Sequence, residues 1–186
     1  MRAYKDKSKG IKFRIHVKRL SPRILHLATH GFFLEKKGDS TDRPMTLSGL
    51  ALAGANRGIM EEIGPDGEDG ILYALEAQNL NLERTELVVL STRDTGKGEV
   101  DVSEGVYGLT RAFRTAGARN ILMTLWPLHD ELAAEFMIDF YRNWPSGDSS
   151  TGGSLRSTPA TALRETRLAW IESEDEKKRN PRYWAP

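Results

Sequence analysis

Apolar residues in this chain form short continuous runs separated by stretches with helical spacing. The runs predict buried strands at residues 24–29, 87–91 and 120–126, the last of them stopped by Pro127. A shorter alternation predicts a strand or hairpin at residues 47–54. Because nearly continuous apolar strands alternate with helices, we expect a three-layer α/β/α fold with a mainly parallel sheet.

Two helices are predicted in the middle of the chain. The first covers residues 71–78, with Asp69 at or near its N-cap. The second begins near Asp101 or Ser103 and ends at Gly117. Apolar residues three or four positions apart define the buried face of the second helix: Val106, Leu109, Phe113 and Ala116.

Two further helices are predicted in the last third of the chain. The first is strongly amphipathic, and the second opens at Thr158-Pro159 because proline suits the first helical position. The charged run at residues 172–179 is predicted to be the solvated end of this second helix. Residues 146–158 are rich in Ser, Gly and Thr and are predicted to form a flexible loop. The inward face of the first helix comprises Leu132, Ala133, Phe136, Met137, Phe140 and Tyr141. The inward face of the second comprises Leu163, Thr166 and Trp170.

The composition is that of an ordinary globular domain. Of 186 residues, 39% are apolar and 28% are charged, and the net charge is +1. A charge this small favours neither nucleic acid nor a membrane surface as a partner. No run approaches the ~18 apolar residues of a membrane span, and the basic start lacks the apolar core of a secretory signal. These features predict a cytoplasmic location.

Positive charge is concentrated at the start of the chain. Residues 1–23 hold nine Lys or Arg and one acidic residue, Asp6. Such a segment could neutralise the phosphates of a nucleic acid, but a poorly ordered terminus is the better explanation, since no binding motif accompanies it. We therefore expect a basic arm at residues 1–20 and one domain at residues 21–186.

The chain contains no cysteine. This excludes disulfides and thiolate metal sites, and it fits a reducing compartment. His26 and His30 are four residues apart, but on a strand they would lie about 13 Å apart, too far to share one ion. The glycines match turns better than a phosphate-binding loop. The sequence therefore implies no metal and no cofactor.

Polar residues follow two of the predicted strands. His30 and Gly31 end the first, and Arg93 and Asp94 follow the second. In open α/β sheets, functional sites lie beyond the carboxyl ends of the strands. A histidine there can act as a general base, and the amide of the following glycine can approach an oxyanion. A structural histidine in a loop explains the motif equally well.

Six ordered segments carry a resemblance to a known family. They are residues 24–31 (ILHLATHG), 48–56 (SGLALAGAN), 69–72 (DGIL), 87–91 (LVVLS), 104–109 (EGVYGL) and 181–186 (PRYWAP). Together they resemble CHAT domains, which are caspase-like, separase-related cysteine-peptidase domains often found behind tetratricopeptide repeats. The resemblance runs from about residue 19 to the end of the chain and implies a caspase-like fold.

The resemblance also implies a Cys/His dyad that hydrolyses peptide bonds. The histidine of the family's T-H-G motif, the general base, corresponds to His30, and Gly31 would supply the oxyanion amide. The nucleophilic cysteine of L-S-A-C-E-T-G corresponds to position 93, where this chain has Leu-Ser-Thr-Arg-Asp-Thr-Gly. Arginine stays protonated and has no nucleophilic sulfur or oxygen, so Arg93 cannot replace that cysteine.

The sequence therefore predicts a degenerate peptidase domain that works as a regulatory or protein-binding module with a protein or peptide partner. His30, Gly31, Arg93 and Asp94 would line the relic pocket. Arg93 would either bind a carboxylate or phosphate through its planar fork, or be exposed or paired with Asp94. Asp69 would either contribute to a pocket for a basic residue or cap a helix.

An alternative is an active hydrolase in which Ser91 or Thr92 is the nucleophile with His30. Ser91 would point the same way as residue 93 but about 6–7 Å deeper, and Thr92 would point to the opposite face. Hydroxyls also need stronger activation than a thiol. This alternative stays open beside the non-catalytic interpretation.

The ends of the chain differ from the family pattern. Family domains usually have a strand and helix before the T-H-G strand and an apolar strand after the last motif. We therefore expect a sheet that is incomplete at both ends. Its uncovered edges would favour association with a partner.

Overall fold

The computed structural model describes residues 21–33, 44–60, 69–94, 102–124, 130–144 and 158–183. The chain divides into two compact units, Met1–Leu125 and Trp126–Pro186. The predicted basic arm lies outside the described residues, as does all of the predicted loop except Thr158. The boundary between arm and domain therefore stays a prediction.

The strands of the first unit form one mixed sheet. In the described part of the chain its strand order is β3-β2-β1-β4-β5. Pairing is parallel between β1 and β4 and between β4 and β5, whereas β2 is antiparallel to both of its neighbours. The bounds are β1 Ile24–Phe33, β2 Ser48–Ala51, β3 Ile71–Tyr73, β4 Leu87–Asp94 and β5 Asn120–Met123.

Four of these five described strands run in the same direction, since only β2 opposes the others. A five-stranded, mainly parallel sheet flanked by helices confirms the predicted α/β class. Residues 87–90 of β4 are buried on both faces of the sheet. This explains why the same residues form a continuous apolar run instead of an alternating one.

Three helices of the first unit contact one another and the sheet. They enclose a core in which Leu50, Leu90 and Phe113 have no exposed surface. Burying each such side chain contributes about 1.5–3 kcal/mol. The helices of this unit are α1 Pro44–Leu47, α2 Ala55–Ile59, α3 Ala74–Ala77 and α4 Val102–Thr115, of which α1, α3 and α4 enclose the core.

Helix α4 ends where the sequence predicts. Gly117 adopts a left-handed φ of 107°, and the amide of Ala118 donates to the Phe113 carbonyl at 3.1 Å. These features close the last turn of the helix. A Cβ on Gly117 would also lie 2.8 Å from the Glu83 amide nitrogen. Glycine is therefore required here by both conformation and packing.

The second unit consists of helices that pack through aromatic and polar side chains. Phe136 meets Trp170 edge to face, with ring centroids 5.1 Å apart. The Trp170 indole donates to Asp139 Oδ2 at 3.1 Å, and Asn143 Nδ2 donates to Thr166 Oγ1 at 2.9 Å. The elements are α5 Asp130–Asn143, α6 Pro159–Ile171 and α7 Glu176–Arg179, followed by a 3₁₀ turn at Pro181–Tyr183.

The predicted start of α6 is confirmed. Thr158 precedes the helix in an extended conformation, and its hydroxyl accepts from the Thr161 amide at 3.1 Å. Pro159 occupies the first helical position. No helix among the described residues has both the length and the apolar surface to cross a membrane.

Three predictions about local structure are wrong. The strand predicted at residues 87–91 is longer than expected, since β4 continues to Asp94 opposite an equally extended β1. The helix expected over residues 71–78 begins with strand β3 and becomes helical only at Ala74. Pairing with β2 determines the conformation of residues 71–73 and overrides the helical spacing.

The third wrong prediction concerns the charged run at residues 172–179. This segment is not the end of α6, because α6 stops at Ile171 and a separate helix α7 follows. Asp175 caps α7 by accepting from the Lys177 amide at 2.8 Å. Lys178 then pairs with Glu135 on α5 and lies over the Trp170 ring, 5.2 Å from its centroid. The run therefore folds back onto the other helices of its unit.

Candidate functional site

The sheet register brings His30 and Arg93 together. These residues are partners on the neighbouring parallel strands β1 and β4, so their backbones are about 4.8 Å apart. The same row continues across β2 and β3 through Ala51 and Ile71. The row crosses the sheet close to the carboxyl ends of β1 and β4. The two residues lie within the strands and not in loops beyond them.

The residues beside this pair occupy the next row. Gly31 is buried and lies between Leu50 on β2 and Asp94 on β4. In a strand paired on both sides, backbone amides lie in the plane of the sheet and point to a neighbouring strand. An oxyanion role for the Gly31 amide would therefore need the end of the sheet to open, and it stays a prediction.

His30 is exposed, whereas the structure describes only the backbone of Thr92, Arg93 and Asp94. Thr92 is the register partner of Thr29, and Ser91 is the partner of Ala28. Ser91 is therefore two residues, about 6–7 Å along the strands, from the level of His30. Ser91 and His30 therefore lie at different levels of the sheet, and a role for Ser91 as the nucleophile stays a prediction.

Asp69 lies apart from the row that contains His30 and Arg93. It precedes β3, two strands from β1, and the register places it at least ~10 Å from His30. Its Oδ1 accepts from the amide of Ile71 at 2.9 Å, which fixes the turn into β3. The helix-capping role predicted for Asp69 is wrong, because α3 begins after Tyr73. The contribution of Asp69 to a pocket for a basic residue stays a prediction.

The turn before β3 also depends on a glycine. Gly70 has a φ of 73°, and a Cβ there would lie 2.5 Å from the carbonyl carbon of Gly54 and 2.8 Å from the Ala53 oxygen. Its own carbonyl accepts from the Leu52 amide at 2.7 Å. The close approach of these two segments fixes the end of β2 at the level of His30.

Thr29 is a contributor to this region that the sequence does not indicate. Its hydroxyl donates to the carbonyl of Ala51, the residue opposite His30 on β2. A side-chain hydroxyl thus satisfies a carbonyl at the end of the strand, where backbone pairing stops. The Thr29 hydroxyl therefore anchors β1 to β2 immediately beside His30.

An aromatic pair lies further along the same face. Phe32 is two residues after His30, and its ring meets Tyr73 edge to face with centroids 5.8 Å apart. A Cβ on Gly49 would be 2.7 Å from Phe32 Cζ, so the ring lies across the space that the glycine leaves. Phe32 lies beyond the strand that the sequence predicts at residues 24–29. The apolar Phe32-Phe33 pair was the available signal that β1 continues.

His26 lies on the same face of β1 as His30, four residues nearer the start of the strand. Although it keeps contact with solvent, partial burial of its ring lowers the pKa of His26 below its ordinary value. The strand conformation keeps the two histidines too far apart to share an ion. Among the described residues, no group of three or more His, Asp or Glu side chains could hold a metal.

Comparison with known proteins agrees with this geometry. A family profile described as "CHAT domain" matches residues 12–186. The chain belongs to the CHAT domain family. The match includes both strands that carry His30 and Arg93, so the family assignment and the site geometry concern the same part of the chain. No solved structure gives a significant match to this CHAT domain.

Two curated relatives carry the same printed name. Tetratricopeptide repeat protein 28 of Mus musculus is 31% identical over 140 residues, which cover 74% of this CHAT domain and 6% of the mouse protein. Its Homo sapiens counterpart is 34% identical over 83 residues, which cover 45% of this CHAT domain and 3% of the human protein. The chain thus spans less than a tenth of the length of the curated relatives it matches.

Proposed function

We propose that this protein is a non-catalytic CHAT domain that binds a protein or peptide partner and regulates it. The observation that carries the proposal is the identity of the residue opposite His30. The register pairs His30 with Arg93, and the chain contains no cysteine. A thiolate nucleophile is therefore absent at the position that the family resemblance assigns to it.

The residues around Arg93 support the proposal that a binding site is retained there. His30 is exposed, and Thr29 anchors β1 to β2 beside it. The aromatic pair formed by Phe32 and Tyr73 lies on the same face. An exposed histidine next to aromatic rings offers hydrogen bonding and apolar contact to an extended peptide. The relatives named for tetratricopeptide repeats agree with a role in protein association.

Arg93→Cys tests whether only the nucleophile has been lost. Because the chain has no other cysteine, a thiol reagent reports on that position alone. If His30 faces it, the imidazolium lowers the pKa of the new thiol. We expect alkylation by iodoacetamide near pH 6 to be about tenfold faster in Arg93→Cys than in Arg93→Cys/His30→Ala.

Arg164→Cys, at an exposed position on α6, is the matched control and should label at the same rate with or without His30→Ala. Equal rates in Arg93→Cys and its double variant would contradict a retained pocket. Circular dichroism on each variant confirms that the fold is intact.

A peptide library tests the absence of catalysis in the natural protein. We expect no cleavage by the natural sequence, because neither Ser91 nor Thr92 shares the register position of His30. Cleavage that disappears in His30→Ala and in Ser91→Ala or Thr92→Ala would instead establish a hydroxyl nucleophile. That result would overturn the non-catalytic proposal.

A further inference from the structure

Exposed arginines collect where strands β1, β4 and β5 begin, at the end of the sheet opposite His30. They come from the segment before β1, the loop before β4, and the end of α4 with its following turn. Two glutamates, Glu83 and Glu86, lie among them. We call the five residues the arginine surface: Arg23, Arg84, Arg111, Arg114 and Arg119.

The backbone beneath the arginine surface is held by hydrogen bonds between distant segments. The Glu86 amide donates to the Arg23 carbonyl at 2.8 Å, and the Arg119 amide donates to the Thr85 carbonyl at 3.1 Å. The Arg84 amide donates to Ser21 Oγ at 2.9 Å. Three segments are thus tied together, so little backbone entropy is lost on binding, and the ordering cost falls mainly on the arginine side chains.

The positive charge of this surface is only partly neutralised within the described residues. Arg23 Nε pairs with Glu86 Oε2 at 3.0 Å, and Arg114 donates to the Arg119 carbonyl, which does not cancel its charge. In the described part of the chain, the guanidinium groups of Arg84, Arg111 and Arg119 have no acidic partner. Several planar donor forks therefore face solvent at one end of the unit.

We propose that the arginine surface binds an acidic segment of a partner protein, rich in Asp and Glu. Guanidinium forks recognise carboxylates through paired hydrogen bonds, and rigidly placed arginine clusters are a recurring way to capture acidic peptides. The two glutamates within the surface favour a peptide over a nucleic acid. A peptide can place uncharged residues opposite Glu83 and Glu86, whereas a phosphodiester backbone carries a charge at every step.

This surface is distinct from the site at His30. Arg23 immediately precedes β1 and lies seven residues before His30, about 23 Å away at the rise of a strand. Substitutions in the arginine surface therefore leave the row of His30 and Arg93 unchanged, and each proposal can fail without the other.

Binding of a fluorescein-labelled peptide of alternating Glu and Gly tests the proposal on the full chain. We expect binding that weakens severalfold between 50 and 200 mM NaCl and an affinity at least tenfold lower in Arg84→Glu/Arg119→Glu. Arg164→Glu/Lys177→Glu changes the net charge equally at exposed positions of the second unit, and it should bind within about twofold of the natural protein. A peptide with Gln in place of Glu should not bind.

Arg84→Gln/Arg119→Gln is the milder variant if charge reversal disturbs folding, and it should also weaken binding. Equal losses in the surface and control variants would overturn the proposal, as would equal binding of the Gln peptide. Tighter binding of duplex DNA than of the acidic peptide would identify a nucleic acid as the ligand instead. Self-association lost in Arg84→Glu/Arg119→Glu would identify a second copy of the chain as the occupant.

Discussion

At the scale of single residues, the pair formed by His30 and Arg93 decides which chemistry is available. A histidine can move protons only if a nucleophile or water lies within reach, and the residue opposite His30 is a permanent cation. Thr29 has a structural role that the sequence pattern does not indicate. Thr29 has an ordinary strand-forming side chain, but its hydroxyl bonds to a carbonyl 22 positions away.

His26 makes stability depend on pH. Burial lowers its pKa in the folded protein, so the unfolded chain takes up the proton first as the pH falls below ~6.5. Acidification in that range therefore favours unfolding. We expect the urea midpoint of the natural protein to fall between pH 7.5 and pH 5.5.

His26→Gln removes this titration and should show a smaller fall over the same interval, each variant being compared with its own value at pH 7.5. An identical fall in both proteins would mean that other groups cause the acid sensitivity.

At the scale of elements, pairing between distant strands and helices decides where each element starts and stops. Strands β1 and β4 pair beyond their predicted ends, as far as Gly31 and Asp94. Residues 71–73 become a strand because β2 lies beside them. Helix α7 similarly depends on α5, since Lys178 reaches Glu135 and covers the ring of Trp170.

Lys178→Met should release α7 from the other helices of its unit. The hydrogen bond to Glu135 raises the pKa of Lys178, so the pair stabilises the fold below pH ~10.5 and its contribution is lost as the pH rises through the folded pKa. We expect Lys178→Met to lower the free energy of unfolding by about 0.5–1 kcal/mol at pH 7, measured by urea denaturation.

Lys177→Met is the matched control, because Lys177 is the exposed neighbour on the same helix. It should change stability by less than about 0.5 kcal/mol. Faster hydrogen exchange confined to α7 in Lys178→Met would locate the effect. Equal stabilities of the two variants would show that the contact between Lys178 and Glu135 contributes nothing measurable.

At the scale of the whole molecule, the first unit is stabilised by a core between one face of the sheet and helices α1, α3 and α4. The site at His30 and the arginine surface lie at opposite ends of the same strands. Their positions therefore depend on the integrity of this core.

Leu90→Ala tests that dependence. Leu90 has no exposed surface and lies in the core on the strand that carries Arg93. We expect the substitution to lower the free energy of unfolding by about 2–5 kcal/mol through lost burial and an internal cavity. Chemical denaturation measures the change.

Leu75→Ala is the comparison, at a partly exposed leucine of α3 (39% exposed). It should lower the free energy of unfolding by less than about 1 kcal/mol. A comparable cost for both leucines would contradict the assignment of Leu90 to the central core.

The amino-acid sequence by itself determined the α/β class, the family, the helix start at Thr158, the helix stop at Gly117 and the absence of a cysteine nucleophile. These features depend on residue identity or on contacts between near neighbours in the chain. Only the tertiary structure decided the antiparallel strand β2, the extra length of β1 and β4, the turn role of Asp69 and the pairing of His30 with Arg93. Each of these depends on hydrogen bonds or packing between residues far apart in sequence, whose register no local pattern specifies.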